Sequence, residues 1–279
     1  MLSSWVGPLV LGVSLGCVAC GSGHPGPGDD EMIVEPGFDG PLGKADSAGG
    51  EVELKITLRP DQIGLAKQKF GLRDSVAAER DVWFYDSAGL ELFDSGVILR
   101  GRSKADASDD STVKFRPMDA GEVDSEWLAL DGFKCEIDRT LAKSVSSCSL
   151  TAVQDEGELE DIAEGERDID KAFSSEQEAL LAAYSPIEAE WDALLPLGPV
   201  DARVWKVKPK TFDSKLTMEL WTLPDSSRFL EVSLRVAPAD ADDDLAALAT
   251  YLESRGFDVG AGQETKTRTA LEYFAASAH

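Results

Sequence analysis

The sequence predicts an α+β protein built on a closed or nearly closed eight-stranded antiparallel β-barrel, with helices packed outside the barrel. About eight segments alternate between polar and apolar residues, which is the period of a strand with one buried face. Most of these segments are joined by short turns, which connect antiparallel neighbours. Helical patterns lie between the strand segments, which favours the α+β class. The hydrophobic content of 43% is sufficient for a packed core.

The first predicted strand is EVELKITL, residues 51–58. Its residues Glu51, Glu53 and Lys55 fall on one face, and its apolar residues fall on the other. A short helix is predicted in RPDQIGLAKQKFGL. The next segments with strand patterns are DVWFYD, VILRGRSK, STVKFRPM, EWLAL and FKCEIDRT.

The second half of the chain begins with helical patterns over residues 153–195, including SSEQEALLAAY, for which Ser175 is the predicted cap. Strand patterns return in RVWKVKPKTFD, KLTMELWTL and SSRFLEVSLRV. The helix DADDDLAALATYLESRGF ends at Gly256, and QETKTRTALEYF is the last segment. In a closed barrel, charged side chains at positions i and i+2 of several strands would converge on one axis.

Composition excludes several classes of function. The chain has 27 basic and 52 acidic residues, and its net charge of −25 disfavours nucleic acid as a partner. The two histidines, His24 and His279, are too few and too remote for Ser-His-Asp or Cys-His catalysis or for most zinc sites. Neither a P-loop nor a GxGxxG motif occurs. The chemistry must therefore depend on carboxylates, lysines and arginines.

The N-terminal segment indicates export. Residues 1–20 form an apolar run that ends in small residues and cysteines, and this run resembles a bacterial lipoprotein signal. We expect Cys17 or Cys20 to accept the lipid; an ordinary cleaved signal peptide is the alternative. Residues 21–50 are rich in Gly, Pro, Asp and Ser and are predicted to be a disordered linker. The predicted location is the bacterial cell envelope, with membrane contact only through the lipid anchor.

Two further cysteines, Cys135 and Cys148, would then face an oxidising compartment. They are candidates for a disulfide that closes the turn between two strands. Two unpaired, partly buried thiols are the alternative.

A combination of motifs in the domain resembles a known family. The ExExK pattern of Glu51, Glu53 and Lys55 is followed, in order and at strand-like spacing, by FYDSAGLELFDSGVILRGR and STVKFRP. This combination resembles the CYTH family of triphosphate tunnel metalloenzymes, over residues 51–274. The family fold is a tunnel-like antiparallel β-barrel, and its members include triphosphatases, thiamine triphosphatases and class IV adenylyl cyclases.

The resemblance implies the site residues. Mg²⁺ or Mn²⁺ would be the cofactor, and its ligands would be Glu51, Glu53, Glu219 and Glu231. The basic side chains that would bind phosphate are Lys55, Arg100, Arg102, Lys114, Arg116, Lys206, Lys208 and Lys266. Glu51, Glu53 and Lys55 would carry catalysis, and Glu136 resembles an acidic position on the intervening strand.

One position departs from the family pattern. Ser233 stands where a second glutamate near Glu231 is usual, and a neutral hydroxyl is a weaker ligand for a hard cation than a carboxylate. This departure predicts weaker metal binding.

The resemblance implies an extracytoplasmic, metal-dependent phosphohydrolase. Its substrate would be a small anion, namely inorganic triphosphate, polyphosphate or a nucleoside triphosphate, bound in a cationic tunnel. The second hypothesis, favoured by Ser233, is a lipoprotein that binds polyphosphate or another phosphorylated ligand without turnover. The third is a structural lipoprotein with a vestigial tunnel.

Overall fold

The computed structural model describes residues 32–37, 51–105, 107–260 and 265–278. The strands in these ranges are β1 (Ile33–Pro36), β2 (Val52–Leu58), β3 (Ala78–Asp86), β4 (Val97–Lys104), β5 (Asp109–Phe115), β6 (Phe133–Arg139), β7 (Ser144–Gln154), β8 (Leu195–Lys208), β9 (Leu216–Thr222) and β10 (Arg228–Val236). The helices are α1 (Ile63–Phe70), α2 (Glu91–Asp94), α3 (Ser125–Leu128), α4 (Glu158–Ala163), α5 (Ser175–Tyr184), α6 (Ala241–Ser254) and α7 (Lys266–Ser277). The predicted signal segment, with Cys17 and Cys20, lies outside the described residues. Across the described ranges, every helix is too short or too polar to cross a membrane.

The strands form one sheet that closes on itself. Their order is β1, β8, β3, β4, β5, β7, β6, β2, β10, β9, and β9 pairs again with β8. Nine strands therefore form a closed barrel, and β1 continues along one edge of β8. The predicted α+β barrel is confirmed.

Two details of the barrel differ from the prediction of eight antiparallel strands. The barrel has nine strands, and β2 pairs with β6 in the parallel sense. The physical reason for the parallel pair is the placement of one hairpin. In the hairpin of β6 and β7, β7 lies beside β5, so β6 is the strand that borders β2.

Strand β1 lies within the segment predicted to be a disordered linker. Its backbone pairs with the end of β8, from Ile33 opposite Lys208 to Pro36 opposite Trp205. Val34 and the preceding Met32 pack against a buried cluster of the barrel. Tertiary contacts therefore order this stretch although its surroundings are rich in Gly and Pro.

Three other local predictions differ from the structure. EWLAL, predicted as a strand, contributes to the short helix α3, which follows an extended Asp124. Strand β7 has no full counterpart among the predicted strands, because SVSSCSLTAVQ is mostly small and polar. The cap of α5 is Ser174, whose hydroxyl accepts a hydrogen bond from the Gln177 N–H, one residue before the predicted Ser175.

The alternation of β2 places its apolar residues outside the barrel and its charged residues inside. Leu54 and Ile56 are fully buried in a cluster formed with α1 and α6. Glu53 and Lys55 point into the barrel and are partly buried. The hydrophobic core therefore lies mainly between the barrel wall and the helices.

Two more buried clusters complete the packing. One joins the outer faces of β3, β4, β5 and β7 to α4 and α5. In the other, Ala270, Leu271 and Phe274 of α7 pack against side chains that include Phe84 and Trp221. Phe84 and Trp221 also line the interior of the barrel, so α7 closes the barrel near these two residues.

The two cysteines of the domain lie directly opposite each other on β6 and β7. Cys135 and Cys148 form a disulfide between these strands.

Candidate functional site

The inner faces of the barrel strands surround a cavity of about 890 Å³, which we call the central cavity. Among the described residues, eleven basic side chains line it: Lys55, Arg80, Arg100, Arg102, Lys114, Arg116, Lys134, Lys206, Lys215, Arg235 and Lys266. The acidic side chains that line it are Glu35, Glu53, Glu136, Asp138, Glu219 and Glu231. The lining thus has an excess of positive charge inside a chain whose net charge is −25. Walls of low dielectric constant strengthen such a local potential.

One carboxylate cluster forms where β2 and β6 run side by side. Glu53 is opposite Asp138 in the register of this parallel pair, and Glu136 is on the same face of β6. Each of these residues offers one oxygen within 4.8 Å of the others. In the described part of the chain this is the one group of three acidic, Cys or His side chains that is close enough to hold a metal ion.

Lysines pair with the three carboxylates of this cluster. Lys55 Nζ lies 3.0 Å from Glu53 Oε2 and 2.6 Å from Asp138 Oδ1. Lys114 Nζ lies 3.0 Å from Glu136 Oε1 and 3.5 Å from Asp138 Oδ2. Lys134 and Arg116 add further pairs, at 2.8 Å to Glu136 and 3.2 Å to Asp138.

These pairs shift the pKa values of Glu136, Glu53 and Lys55 toward the charged forms. Burial by itself would raise the pKa of Glu136, but Lys114 and Lys134 outweigh burial and hold this pKa well below its ordinary value. Burial by itself would also raise the pKa of Glu53, but the positive charge of Lys55 lowers it, and the pKa of Glu53 is below its ordinary value. For Lys55, burial is outweighed by Glu53 and other carboxylates, so its pKa is well above the ordinary value. Glu136, Glu53 and Lys55 are therefore charged at neutral pH.

A second cluster forms around Lys266, the first residue of α7. Its ammonium pairs with Glu219 and lies 3.1 Å from Glu231 Oε1. It also lies 4.8 Å from the centre of the Trp221 ring, within the range of a cation–π contact. Burial would raise the pKa of Glu219, but Lys266, followed by Arg80, outweighs burial and lowers it.

The predicted arginines of β4 are held by residues of the neighbouring strand β5. Arg102 donates two hydrogen bonds of 2.8 Å to the two carboxylate oxygens of Asp110. Arg100 donates to Thr112 Oγ1 at 3.2 Å. A planar guanidinium fixed in this way presents its charge to the central cavity in one orientation.

A divalent cation fits the donor set of the first cluster. Glu53, Glu136 and Asp138 supply carboxylate oxygens, which are the ligands that Mg²⁺ and Mn²⁺ prefer. The ammonium groups of Lys55 and Lys114 lie against the same oxygens. A metal ion would therefore bind there together with an anion that draws these ammonium groups toward itself.

The structure brings most of the predicted site residues together, with two exceptions. The side chain of Glu51 is 69% exposed, and its Oε2 lies 4.0 Å from Arg235 Nε. It precedes the first residue of β2 and is not among the side chains that line the central cavity, so the structure places it apart from the other predicted metal ligands. Lys208 donates instead to the carbonyl oxygens of Phe212 and Asp213, because β8 ends at this lysine and the chain turns back over it.

The predicted metal ligands do not form one set. Glu219 and Glu231 line the central cavity and pair with Lys266, and neither belongs to the three-carboxylate group that contains Glu53. Ser233, at the position of a usual glutamate, instead donates to Glu53 Oε1 at 3.4 Å.

Within the described ranges, six charged residues that line the cavity are not among the predicted site residues: Asp138, Lys134, Arg80, Glu35, Lys215 and Arg235. Asp138 and Lys134 alternate with Glu136 in FKCEIDR, and this alternation is a usable signal. Arg80 is separated from the apolar run VWFY by Asp81, and Glu35 lies in the predicted linker, so neither position carries a local signal.

Two solved structures share this fold. A protein from Hippeastrum, proposed to be an adenylyl cyclase and described as having a dominant triphosphatase activity, matches with a TM-score of 0.55 at 12% identity, over 79% of this chain and 94% of that chain. A proposed adenylate cyclase from Bacillus halodurans matches with a TM-score of 0.54 at 12% identity, over 80% of this chain and 98% of that chain. No protein-family model and no curated protein matches the sequence. The chain therefore has the fold of these two cyclase-like proteins, and the fold expected from the resemblance to the CYTH family is confirmed.

Proposed function

We propose that this protein is a phosphohydrolase that acts on triphosphate-containing substrates, namely inorganic triphosphate, polyphosphate or a nucleoside triphosphate. The observation that carries this proposal is the lining of the central cavity, in which eleven basic side chains of the described residues converge within a chain of net charge −25. Basic side chains without a binding role would usually be spread over the protein surface and hydrated by solvent. The triphosphatase activity described for the Hippeastrum protein is consistent with the proposal.

The basic residues have distinct roles in this reaction. Arg100 and Arg102 hold phosphate oxygens with planar guanidinium groups, and Lys55, Lys114 and Lys266 neutralise charge as compact ammonium groups. Phosphoryl transfer spreads negative charge over the oxygens of the moving group, and fixed cations stabilise that charge. A substrate that enters the cavity replaces the carboxylates as the partner of these lysines.

Glu53, Glu136 and Asp138 would hold Mg²⁺ or Mn²⁺ when the substrate is bound. An ion held there would supply charge neutralisation and would lower the pKa of a water bound to it. The carboxylates themselves bind and orient, and they also limit the mutual repulsion of the surrounding lysines.

The second candidate function is capture of a polyphosphate or another phosphorylated ligand without turnover. Two features favour it: Ser233 stands where the family resemblance implies a glutamate, and Glu51 is exposed outside the central cavity. Both reduce the number of acidic ligands available to a metal ion. The cationic lining required for binding would be the same.

Phosphate release from tripolyphosphate with Mg²⁺ or Mn²⁺ separates the two candidates. For an enzyme, we expect Glu53→Gln and Lys55→Ala each to lower kcat/KM by about a hundredfold or more. Lys69→Ala, on the exposed side of α1, is the control and should change it less than about twofold. Tight binding of tripolyphosphate without phosphate release supports the capture function. If the parent chain neither binds nor hydrolyses any of a panel of polyphosphates, both candidates are wrong.

We also propose that the protein acts in the cell envelope, anchored through Cys17 or Cys20. The disulfide between Cys135 and Cys148 supports an oxidising compartment, since thiols of cytosolic proteins are usually kept reduced. In fractionated bacteria, the parent chain should be in the membrane fraction. A variant with serine at the lipidated cysteine should be lost from the membrane fraction. If neither Cys17→Ser nor Cys20→Ser changes the fraction, the anchor proposal is wrong.

A further inference from the structure

Strand β1 forms part of the wall of the central cavity, although it precedes the barrel in sequence. Glu35, Pro36 and Gly37 all line the cavity. Glu35 is opposite Lys206 in the register of β1 and β8, and its carboxylate pairs with Lys215. Charged groups of β1 and of the barrel therefore meet at the same wall.

Gly37 brings the backbone of this segment unusually close to β8. Its N–H donates to the Val204 carbonyl at 2.9 Å, which continues the pairing of β1 by one residue. A Cβ atom at this position would lie 2.3 Å from Val204 Cγ1 and 2.8 Å from the Val204 carbonyl carbon. Only glycine allows this approach, so a larger residue must displace the end of β1 from β8.

The carbonyl of Gly37 contacts a buried arginine of the cavity. Arg80 is 7% exposed, lines the central cavity from β3, and donates from Nη2 to the Gly37 oxygen at 2.5 Å. A guanidinium carries five N–H donors in one plane, and a hydrogen bond to a backbone carbonyl fixes the orientation of that plane. A cation that is already oriented loses less conformational freedom when an anion binds.

We infer that Arg80 is an anion-binding residue of the central cavity, and that strand β1 positions it through the Gly37 carbonyl. This inference rests on the proposed binding of triphosphate-containing ligands and adds one residue and one element to that site. Its chemistry is the recognition of phosphate oxygens by a pre-oriented guanidinium. Strand β1 and Gly37 are then part of the functional domain.

Calorimetric titration of the full chain with tripolyphosphate tests the role of Arg80. We expect Arg80→Gln to raise Kd about tenfold, as the loss of a charge-assisted hydrogen bond does. Arg80→Lys, which keeps the charge and loses the planar donors, should give an intermediate Kd. The control is Arg203→Gln: Arg203 lies on the outer side of β8, pairs with Glu79, and should leave Kd within about twofold of the parent value.

A double-mutant cycle tests the role of β1. Gly37→Ala should raise Kd about threefold in the parent chain and should have no further effect in the Arg80→Gln background, because both changes act through one contact. A purely structural effect of Gly37→Ala would instead be the same in both backgrounds.

The outcomes separate this inference from the proposed function. Equal Kd values for the parent chain and Arg80→Gln overturn the inference and leave the proposed function intact. Additive effects of Gly37→Ala and Arg80→Gln overturn the role of β1. Absence of polyphosphate binding by the parent chain overturns both proposals. Should Gly37→Ala not fold, the comparison of Arg80→Gln with Arg80→Lys still decides whether the guanidinium binds the anion.

Discussion

At the scale of single residues, buried carboxylates control how the barrel responds to pH. Glu136 is 12% exposed in its side chain and is paired with Lys114 and Lys134. These pairs hold its pKa well below the ordinary value of 4.5. The charged form of Glu136 therefore stabilises the folded state.

We predict that the stabilising effect of Glu136 is lost in acid. A carboxyl group whose pKa is lower in the folded state contributes stability above its unfolded pKa, near 4.5 here, and loses it as the pH falls through the folded pKa. In urea titrations at pH 7, Glu136→Gln should be less stable than the parent chain by about 1 to 3 kcal/mol. The difference should shrink steadily as the pH falls below 4.5. A difference that is the same at pH 7 and at pH 3 would contradict the prediction.

Gly132 shows a second constraint at the residue scale, at the turn into β6. Its φ of +83° lies in the left-handed region, and a Cβ atom there would be 2.2 Å from the Thr151 carbonyl oxygen. Gly64, inside α1, is the opposite case, because nothing lies within 4 Å of a Cβ atom built on it.

We predict opposite signs for alanine at these two glycines. Gly132→Ala should lower the free energy of unfolding by about 1 to 3 kcal/mol, since it adds strain and a steric clash. Gly64→Ala should raise the same quantity by about 0.5 to 1 kcal/mol, because alanine is the better helix former. Chemical denaturation of both variants gives the two free energies of unfolding. If both variants change this free energy in the same direction relative to the parent chain, the account of the two sites is wrong.

At the scale of elements, hydrophobic alternation predicts those strands that have one apolar face. Strand β2 is the clearest case, since every second residue is buried against the helices. Strand β7 lacks such a face in its sequence, and β1 is short and lies in a Gly- and Pro-rich stretch. Both strands are ordered by pairing with neighbouring strands. No local sequence pattern contains that information.

The hairpin of β6 and β7 depends on the disulfide between Cys135 and Cys148 in addition to its backbone pairing. The bridge joins residues 13 positions apart and so restricts the unfolded chain. Because β6 carries Glu136 and Asp138, this hairpin also positions the carboxylate cluster.

We predict that removal of the bridge lowers the free energy of unfolding by about 2 to 4 kcal/mol. The variant with Cys135→Ala and Cys148→Ala should show this loss in urea unfolding. Dithiothreitol should produce a similar loss in the parent chain and none in the variant. If reductant has no effect on the stability of the parent chain, the bridge does not stabilise the domain.

At the scale of the whole molecule, the charge of the exterior and the charge of the cavity have opposite signs. The net charge of −25 repels polyanions at long range, whereas the lining of the central cavity has eleven basic and six acidic side chains among the described residues. A cavity of about 890 Å³ accommodates a small ligand and no duplex.

We predict that duplex DNA does not compete for the cavity. At low ionic strength, where electrostatic attraction is strongest, a 20-base-pair duplex should leave the Kd for tripolyphosphate unchanged within about twofold. Inorganic phosphate at high concentration is the positive control for competition. Displacement of tripolyphosphate by the duplex would show that the basic residues are accessible from the surface.

Composition and strand alternation were enough to predict the barrel class and the acidic exterior. The resemblance to the CYTH family implied most of the basic residues of the central cavity. Lys55, Arg100, Lys114 and Lys266 all line that cavity. Only the tertiary structure decided which carboxylates meet. The grouping of Glu53 with Glu136 and Asp138 follows from the parallel contact of β2 and β6, two strands distant in sequence.

The exposed position of Glu51 and the link from Gly37 to Arg80 were likewise decided by tertiary structure. The first depends on where β2 begins relative to the barrel wall, and the second on how β1 adds to the end of β8. Contacts between segments far apart in the chain set both positions. Periodicity within a segment contains no information about such contacts.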